Sequence, residues 1–577
     1  MKWCVALPLL ATACSVHANL SRDYQGLPAV LSGAGTPVVM LAMSQDHQLF
    51  YKAYTDWDDL DGDAQGLPET TYVHSVEYFG YFDSGKCYTY DTGDDLFEPV
   101  RVTDDGYCGG TGEWAGNFLN WGTTTRIDAV RKILYGGARV APSGSDWKAE
   151  HAWASSDGSL PTRTVLERAY LPNDAHSFAK YYPGQLIDGT NDIRLLTPFN
   201  TPLTGDARDR GITLCNTTRP INASSNNQWV SSNVTAPPLV RAVTGNRSLW
   251  AANERWQCLW NDERSGVSNS NDASISGIDA YSTSPAQSSG LGFGYAGATS
   301  SQGNYVVRVQ VCAAGLIGNE NCKQYPDGTL KPVGLIQQYG DDDRVWFGLM
   351  MGSYRANKSG GVLRKNPGSL ADEVDIGGDG RFLPAPGAGN IVATLDALRP
   401  VGYNHSDGRY NDRDNCSWGL NSFNNDRCRN WGNPLSEIVL ECYRYLAGNP
   451  SPTPAFAADD SGLPFLNSDS PLNNLISATW TDPLASTNSC AKLNVIAFNA
   501  STSSYDTDEL AGVSDLGTTD SADTLTDRVG AGEGIHGQQA FVGRVDGDTD
   551  ELCTPKLITS LSEVEGTCPD APRLGGG

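Results

Sequence analysis

Residues 56–63 read DWDDLDGD, with aspartates at Asp56, Asp58, Asp59, Asp61 and Asp63. Carboxylates this close repel one another unless water or a cation lies between them. Calcium is a hard ion that gathers several oxygens, and a loop with acids at alternate positions can curl them around one ion. Asp59, Asp61 and Asp63 have that alternation, and Asp56 and Asp58 flank it. Ala64 stands where a sharp turn wants glycine; Gly66 serves instead if Ala64-Gln65 is an insertion, and Glu69 then closes the loop. Thr70 occupies the place of the bidentate glutamate of an EF-hand, so the loop is not one. The spacing predicts a structural calcium site; the competing reading is a solvated acidic turn. A second alternation, DGDTDE at 546–551, offers Asp546, Asp548 and Asp550 to the same ion, without a following glycine.

Other chemistry is sparse. The histidines beyond residue 18 are His47, His74, His151, His176, His405 and His536, and none lies in HExxH or beside a GxSxG elbow. GFGYAG at 292–297 lacks the strand and helix that a dinucleotide fingerprint needs. The expectation is therefore a protein that is not an enzyme and has no catalytic residues. The alternative is a secreted calcium-dependent carbohydrate-binding protein or hydrolase, because acids are abundant enough to supply a carboxylate pair.

The formal net charge of −26 argues against a nucleic-acid partner, which would need a basic footprint. The N-terminus, MKWCVALPLLATACSVHANL, reads as a secretory signal peptide over residues 1–18, with small residues before a cut after Ala18. No later stretch is long and apolar enough for a membrane span, so an exported chain that is not an integral membrane protein is expected. Two of the 14 cysteines lie in that leader. An even remainder after export argues for disulfides. Proximity alone suggests Cys87–Cys108, Cys215–Cys258, Cys312–Cys322, Cys416–Cys428, Cys442–Cys490 and Cys553–Cys568.

The elements that would position these residues are legible as punctuation and periodicity. TPVVMLAMS (36–44) and KLNVIAFNAS (492–501) are continuous apolar runs of buried strand type. YVVRVQVC (305–312) and RVWFGLMMGSY (344–354) are two more strands. TTTRIDAVRKILYGG predicts a helix capped by Thr125, with Ile127, Val130, Ile133 and Leu134 on one face and Gly136-Gly137 as its stop. GNIVATLDALRPVGY (389–403) predicts another. GNPLSEIVLECYRYLAGNP (432–450) predicts a third, with Asn433 as cap, Pro434 at its first turn and Gly448 ending it. Alternating strands and helices argue for an open α/β sheet with helices on both faces, decorated by insertions at about 47–120 and 138–303. Ser/Asn/Gly-rich runs make 138–303 the least regular part.

YFGYFDSGKCYTY (78–90), AGNFLNWGTTTRIDAVRKILYGG (115–137), WFGLMMGSYRANKSGGVLRKNPG (346–368) and DELCTPKLITSLSEVEGTCPDAP (550–572) together resemble the N-terminal half of PilY/PilC-type proteins. Those are type IV pilus tip-associated adhesin and biogenesis factors. The resemblance implies a von Willebrand factor A-like domain over 19–577, minor pilins and a host or abiotic surface as partners, and a place at the cell surface or pilus tip. It also implies a calcium-binding β-propeller, for which this chain shows no blades. Von Willebrand A domains often hold a divalent ion on three loops. At the matching positions stand Ser44 for the leading aspartate, Asp46 for a serine, Asn433 for a threonine and Asn499 for the last aspartate. All three loops depart from the pattern, which reads as a degenerate ion site.

Overall fold

The computed structural model describes residues 35–60, 68–143, 146–153, 161–205, 210–218, 237–248, 257–258, 302–384, 389–403, 410, 416, 424–460, 475–485, 488–540 and 556–557. The fold is mixed α/β with several sheets. At its centre a four-stranded sheet runs in the order Val362–Gly368, Trp346–Met351, Val38–Met43, Leu493–Phe498. Val38–Met43 is parallel to both neighbours, with Val38 opposite Trp346 and Leu493; Val362–Gly368 joins antiparallel.

The apolar run VVMLAM can occupy the middle because both faces of its strand are covered, and successive side chains point to opposite faces. Val38, Met40 and Ala42 pack with Ile438, Cys442 and Tyr445 of the helix Leu435–Leu446. Leu41 and Met43 pack in a second core with Ile127, Val130, Ile336, Ile391 and Leu395, from the helices Arg126–Tyr135, Leu335–Gly340 and Ile391–Ala397. Helices thus lie on both faces, as expected.

The helix ends follow the sequence with two corrections. Thr125 caps Arg126–Tyr135 by accepting the Asp128 N–H, and Gly136 at φ 85° ends it in the left-handed conformation that glycine tolerates. Ile133, expected on the buried face, is 48% exposed. Arg131 and Tyr135 fill that side instead, with Arg131 donating to the carbonyl of Leu395 at 2.8 Å and the Tyr135 hydroxyl to Asp396 at 2.6 Å. Leu435–Leu446 starts one residue later than predicted, and Asn433 does not cap it. A carboxylate from a distant loop takes that role: Asp506 accepts the Ser436 N–H at 2.9 Å and the Ser436 hydroxyl at 3.0 Å.

The expectation of irregular structure over 138–303 is also corrected. The strands Arg139–Ser143, Asp146–Ala149 and Thr164–Glu167 belong to a seven-stranded sheet with Lys86–Asp91, Leu96–Val102, Trp114–Ala115 and Arg308–Val311. Phe178–Tyr182, Ile212–Thr218, Pro238–Thr244 and Gln302–Val306 form a four-stranded antiparallel sheet. The two sheets share an aromatic core that includes Tyr72, Tyr88, Phe97, Trp114, Trp121 and Tyr305. Composition misled because ITLCNTT (212–218) looks polar, yet all seven residues are buried. Arg168 and Asn173 satisfy several of its polar groups.

Four expected disulfides are present: Cys87–Cys108, Cys215–Cys258, Cys312–Cys322 and Cys416–Cys428. The Cys442–Cys490 pair is not. Cys442 is a free thiol turned by its helix into the apolar core beneath the central sheet, whereas Cys490 is exposed. Closeness in sequence does not set the direction in which a helical side chain points. Cys553, Cys568 and the leader lie outside the described residues. Among the described residues no helix is long and apolar enough to cross a membrane.

Candidate functional site

The C-terminal ends of parallel strands are where open α/β sheets present their loops to ligands. Here the structure brings all four positions of the degenerate ion site into one neighbourhood. Ser44 follows the central strand and donates its N–H to the carbonyl of Phe498 at 3.1 Å. Asn499 follows the neighbouring strand, and Asn433 lies just before the helix Leu435–Leu446. Asn433 gives its amide N–H to Asn499 Oδ1 at 2.8 Å and to Ser501 Oγ at 2.9 Å. Its Oδ1 is buried without a hydrogen-bond partner. Asp46 accepts the Gln48 N–H at 2.8 Å and so caps the short 3-10 turn His47–Phe50.

Burial pushes the Asp46 carboxyl up to about 6, against the pull of Gln48 N–H, the Ser501 hydroxyl, His176 and Arg126. Of the four positions Asp46 alone is an acid, and Asn433 spends its NH2 on two oxygens that a hard cation would need. The donor set fits a hydrogen-bonded closure of the strand ends better than a magnesium site, which wants carboxylates and water.

Next to Asp46 stands an arrangement that sequence reasoning missed. His47 Nδ1 lies 3.0 Å from His176 Nε2, and His176 Nδ1 lies 2.7 Å from Asp174 Oδ1. The Tyr410 hydroxyl donates to the other Asp174 oxygen. In the tautomer that turns the His176 Nδ1 proton toward Asp174, His176 Nε2 accepts from His47 Nδ1. That leaves a lone pair on His47 Nε2, which has no hydrogen-bond partner among the described residues. Burial and the neighbouring His176 push His47 down to about 3, with Asp174 opposing. The relay ties the strand-end loop to the antiparallel sheet and to the Tyr410 segment. No local motif signals it, because its histidines are far apart in sequence.

The acidic loop is partly described. Asp56, expected as flank, is its best anchored member: it accepts Lys180 Nζ at 2.7 Å and Trp121 Nε1 at 3.0 Å. Burial lowers Lys180 to about 8, with Asp56 opposing. Asp58 accepts the Thr55 hydroxyl at 2.6 Å. Glu69 receives the Leu60 N–H and donates its own N–H to the Asp58 carbonyl at 3.0 Å, which staples the base of the loop. Asp59 sits just inside the staple. Asp61 and Asp63 lie outside the described residues, as do Asp546, Asp548 and Asp550.

Comparison with known proteins places this geometry in a family. Residues 69–242 match the family model described as the PilY1 homolog small alpha/beta domain, and 347–577 match that of the PilY1 homolog second domain. A type IV pilus biogenesis factor PilY1 homolog from Xylella fastidiosa is 30% identical over 93% of this chain, covering 34% of that relative. A second protein of that name and organism is 29% identical over 51% of the chain and 19% of its own length. The chain therefore spans about a third of the length of the first of these relatives. No solved structure matches. With two domain models of one family matching 69–242 and 347–577, and a relative similar along 93% of this chain, the chain belongs to the PilY1-homolog family.

Proposed function

We propose that this chain is a module of an exported, type IV pilus-associated protein acting at the pilus tip in assembly, adhesion or surface sensing. The observation that carries the reading is the 30% identity along 93% of the chain to a type IV pilus biogenesis factor PilY1 homolog. Its partners would be minor pilins and a host or abiotic surface. The parallel sheet with helices on both faces, and the loops gathered at its strand ends, support a von Willebrand A-like centre. The role is mechanical and not enzymatic: disulfides limit extension under load, and calcium clamps acidic loops that would otherwise repel. Deleting the gene is expected to abolish or reduce piliation, twitching and attachment, with restoration by the intact gene. Unchanged behaviour in all three assays sinks the reading.

Calcium belongs to the same proposal, with Asp59, Asp61, Asp63 and Glu69 as its first site and Asp546, Asp548 and Asp550 as its second. Calorimetry on the mature chain is expected to show calcium uptake that Asp61→Ala weakens. Absence of any heat of binding removes calcium from the reading and leaves the pilus assignment standing.

A further inference from the structure

A cavity of about 40 Å³ lies where three layers meet: the helix Arg126–Tyr135, the strands Arg139–Ser143 and Asp146–Ala149, and the turn at 396–399, with Pro238 of the antiparallel sheet on its wall. Four arginines line it, Arg131, Arg139, Arg168 and Arg399, each at most 3% exposed. Two of them are accounted for. Arg131 is spread over the carbonyls of Leu395 and Leu398 and faces Asp128 and Asp396. Arg139 pairs with Glu150 at 3.1 Å and donates to the carbonyls of Pro332 and Gly380, so its charge is met although its Nε is buried without an acceptor.

The other two are not. Arg168 donates to Asn216 Oδ1 and to two backbone carbonyls, but its Nε is buried with no acceptor. The Arg399 guanidinium makes no hydrogen bond among the described residues; it lies 5.6 Å over the Tyr170 ring, and its Nε is also buried and unpaired. No acid pairs with either within 4.0 Å among the described residues. The neighbouring acids are mostly engaged: Glu167 by Arg308, Glu150 by Arg139 and Lys331, Asp128 by Arg131, and Asp396 through Oδ1 by Tyr135, while Asp396 Oδ2 lies 3.2 Å from His151 without a hydrogen bond. Two buried guanidinium groups thus have no direct ion pair among the described residues, and feel only the more distant Asp128 and Glu167.

An ion taken out of water without a partner costs several kcal/mol, so evolution leaves such a charge only where something compensates it. Burial lowers both Arg168 and Arg399 to about 10, opposed only in part by Asp128 and Glu167 at Arg168 and by Tyr170, Tyr354 and Glu167 at Arg399. The cavity has room for more than one water. Guanidinium forks match the paired oxygens of an oxyanion.

We propose that this cavity binds one small inorganic oxyanion of the phosphate or sulfate class, held by Arg399 and Arg168 as an internal counter-ion that rivets the three layers. The anion stabilises the folded chain by mass action, because the unfolded chain has no such site.

The test uses the full chain, dialysed into a zwitterionic buffer with sodium chloride and titrated with sodium phosphate or sodium sulfate at constant ionic strength. A saturable rise of several degrees in Tm is expected with one or both, and none with chloride. Arg399→Met is expected to melt as high as the native chain in the chloride buffer and to lose the oxyanion response. Ion chromatography of the desalted, acid-denatured chain reads any anion carried through purification, and equilibrium dialysis with labelled phosphate reads uptake. These two decide the matter even if the variant fails to fold: one equivalent bound supports the site. No bound anion together with equal melting in all three salts overturns it and leaves a water-filled cavity. A folded Arg399→Met that still responds like the native chain also overturns it, and an equal response to chloride overturns the oxyanion assignment.

Discussion

The central sheet and the aromatic insertion solve the same problem with different materials. The central sheet is aliphatic and parallel, with Val38, Met40, Leu41, Leu349 and Met351 sandwiched between helices, and its cysteine Cys442 is a free thiol. The insertion is antiparallel over much of its area and is built on tyrosine, phenylalanine and tryptophan, with Cys87–Cys108 and Cys215–Cys258 stapling its strands. Helices on both faces can hide a continuous aliphatic run. Sheets linked by long loops lack that cover, and large rings and covalent links replace it. The difference teaches that covalent links hold the insertion's own strands, whereas beside the central sheet the disulfide Cys416–Cys428 closes only a loop ahead of the helix Leu435–Leu446.

The contrast can be broken most forcefully at Trp121. Its ring is buried, holds Asp56 by hydrogen bond and lies under Lys180 at 5.0 Å. Trp121→Ala is expected to cost about 3–5 kcal/mol in the insertion. A loss of near-ultraviolet circular dichroism before the helical signal melts would place that loss in the aromatic half; a single unchanged transition would refute it. Replacing both Cys215 and Cys258 by serine should cost about 2–4 kcal/mol. In equilibrium denaturation, reduction of the native chain should cost more than this variant, because it also opens Cys87–Cys108, Cys312–Cys322 and Cys416–Cys428, and hydrogen exchange on the variant should show its loss confined to the antiparallel sheet. Loosening of the central sheet to the same degree would erase the distinction.

Smaller effects sharpen the other side. Asp46 has a folded pKa of about 6 against an ordinary 3.8. The folded state therefore binds this proton more tightly than the unfolded state. The stability this gives is present below pH 3.8 and is lost as pH rises to about 6. Asp46→Asn should remove that loss, so the variant gains on the native chain, by on the order of 1–3 kcal/mol, as pH rises through this window. Melting curves from pH 3.5 to pH 7 check it, with those limits set at about the two pKa values; parallel curves for both proteins would contradict it. Thr125→Ala removes the cap of the Arg126–Tyr135 helix and should cost about 1 kcal/mol. The chemical denaturation midpoint should fall without a change in slope.

Legibility in the sequence followed the same divide. VVMLAM announces a buried strand because no polar residue interrupts it, and Thr125 and Gly136 mark a helix whose ends are local events. LNVIAF, expected to be buried as well, is instead an edge strand of the sheet, with Ile496 54% exposed, because being apolar does not show which strand has a neighbour on one side only. Residues 212–218 gave no such signal, since their Thr and Asn side chains are satisfied by an arginine and an asparagine far away in sequence. The strand-end cluster of Ser44, Asp46, Asn433 and Asn499 could be assembled from the family pattern. The His47–His176–Asp174 relay could not, because it depends on how the insertion docks and not on any spacing within a segment. Asn433 was misread as a cap because the sequence does not show that Asp506 reaches back to the helix.

The central strand is also the first strand of its sheet to leave a ribosome. Val38 pairs with Trp346 on one side and Leu493 on the other, so both flanks of the strand are supplied late. Contacts this distant in sequence make folding slow, since the loops between them must close before pairing rewards it. During synthesis the most apolar strand of the sheet therefore waits unpaired while the whole insertion can collapse and oxidise. Within this sheet the strand written first is thus sealed by the one written last.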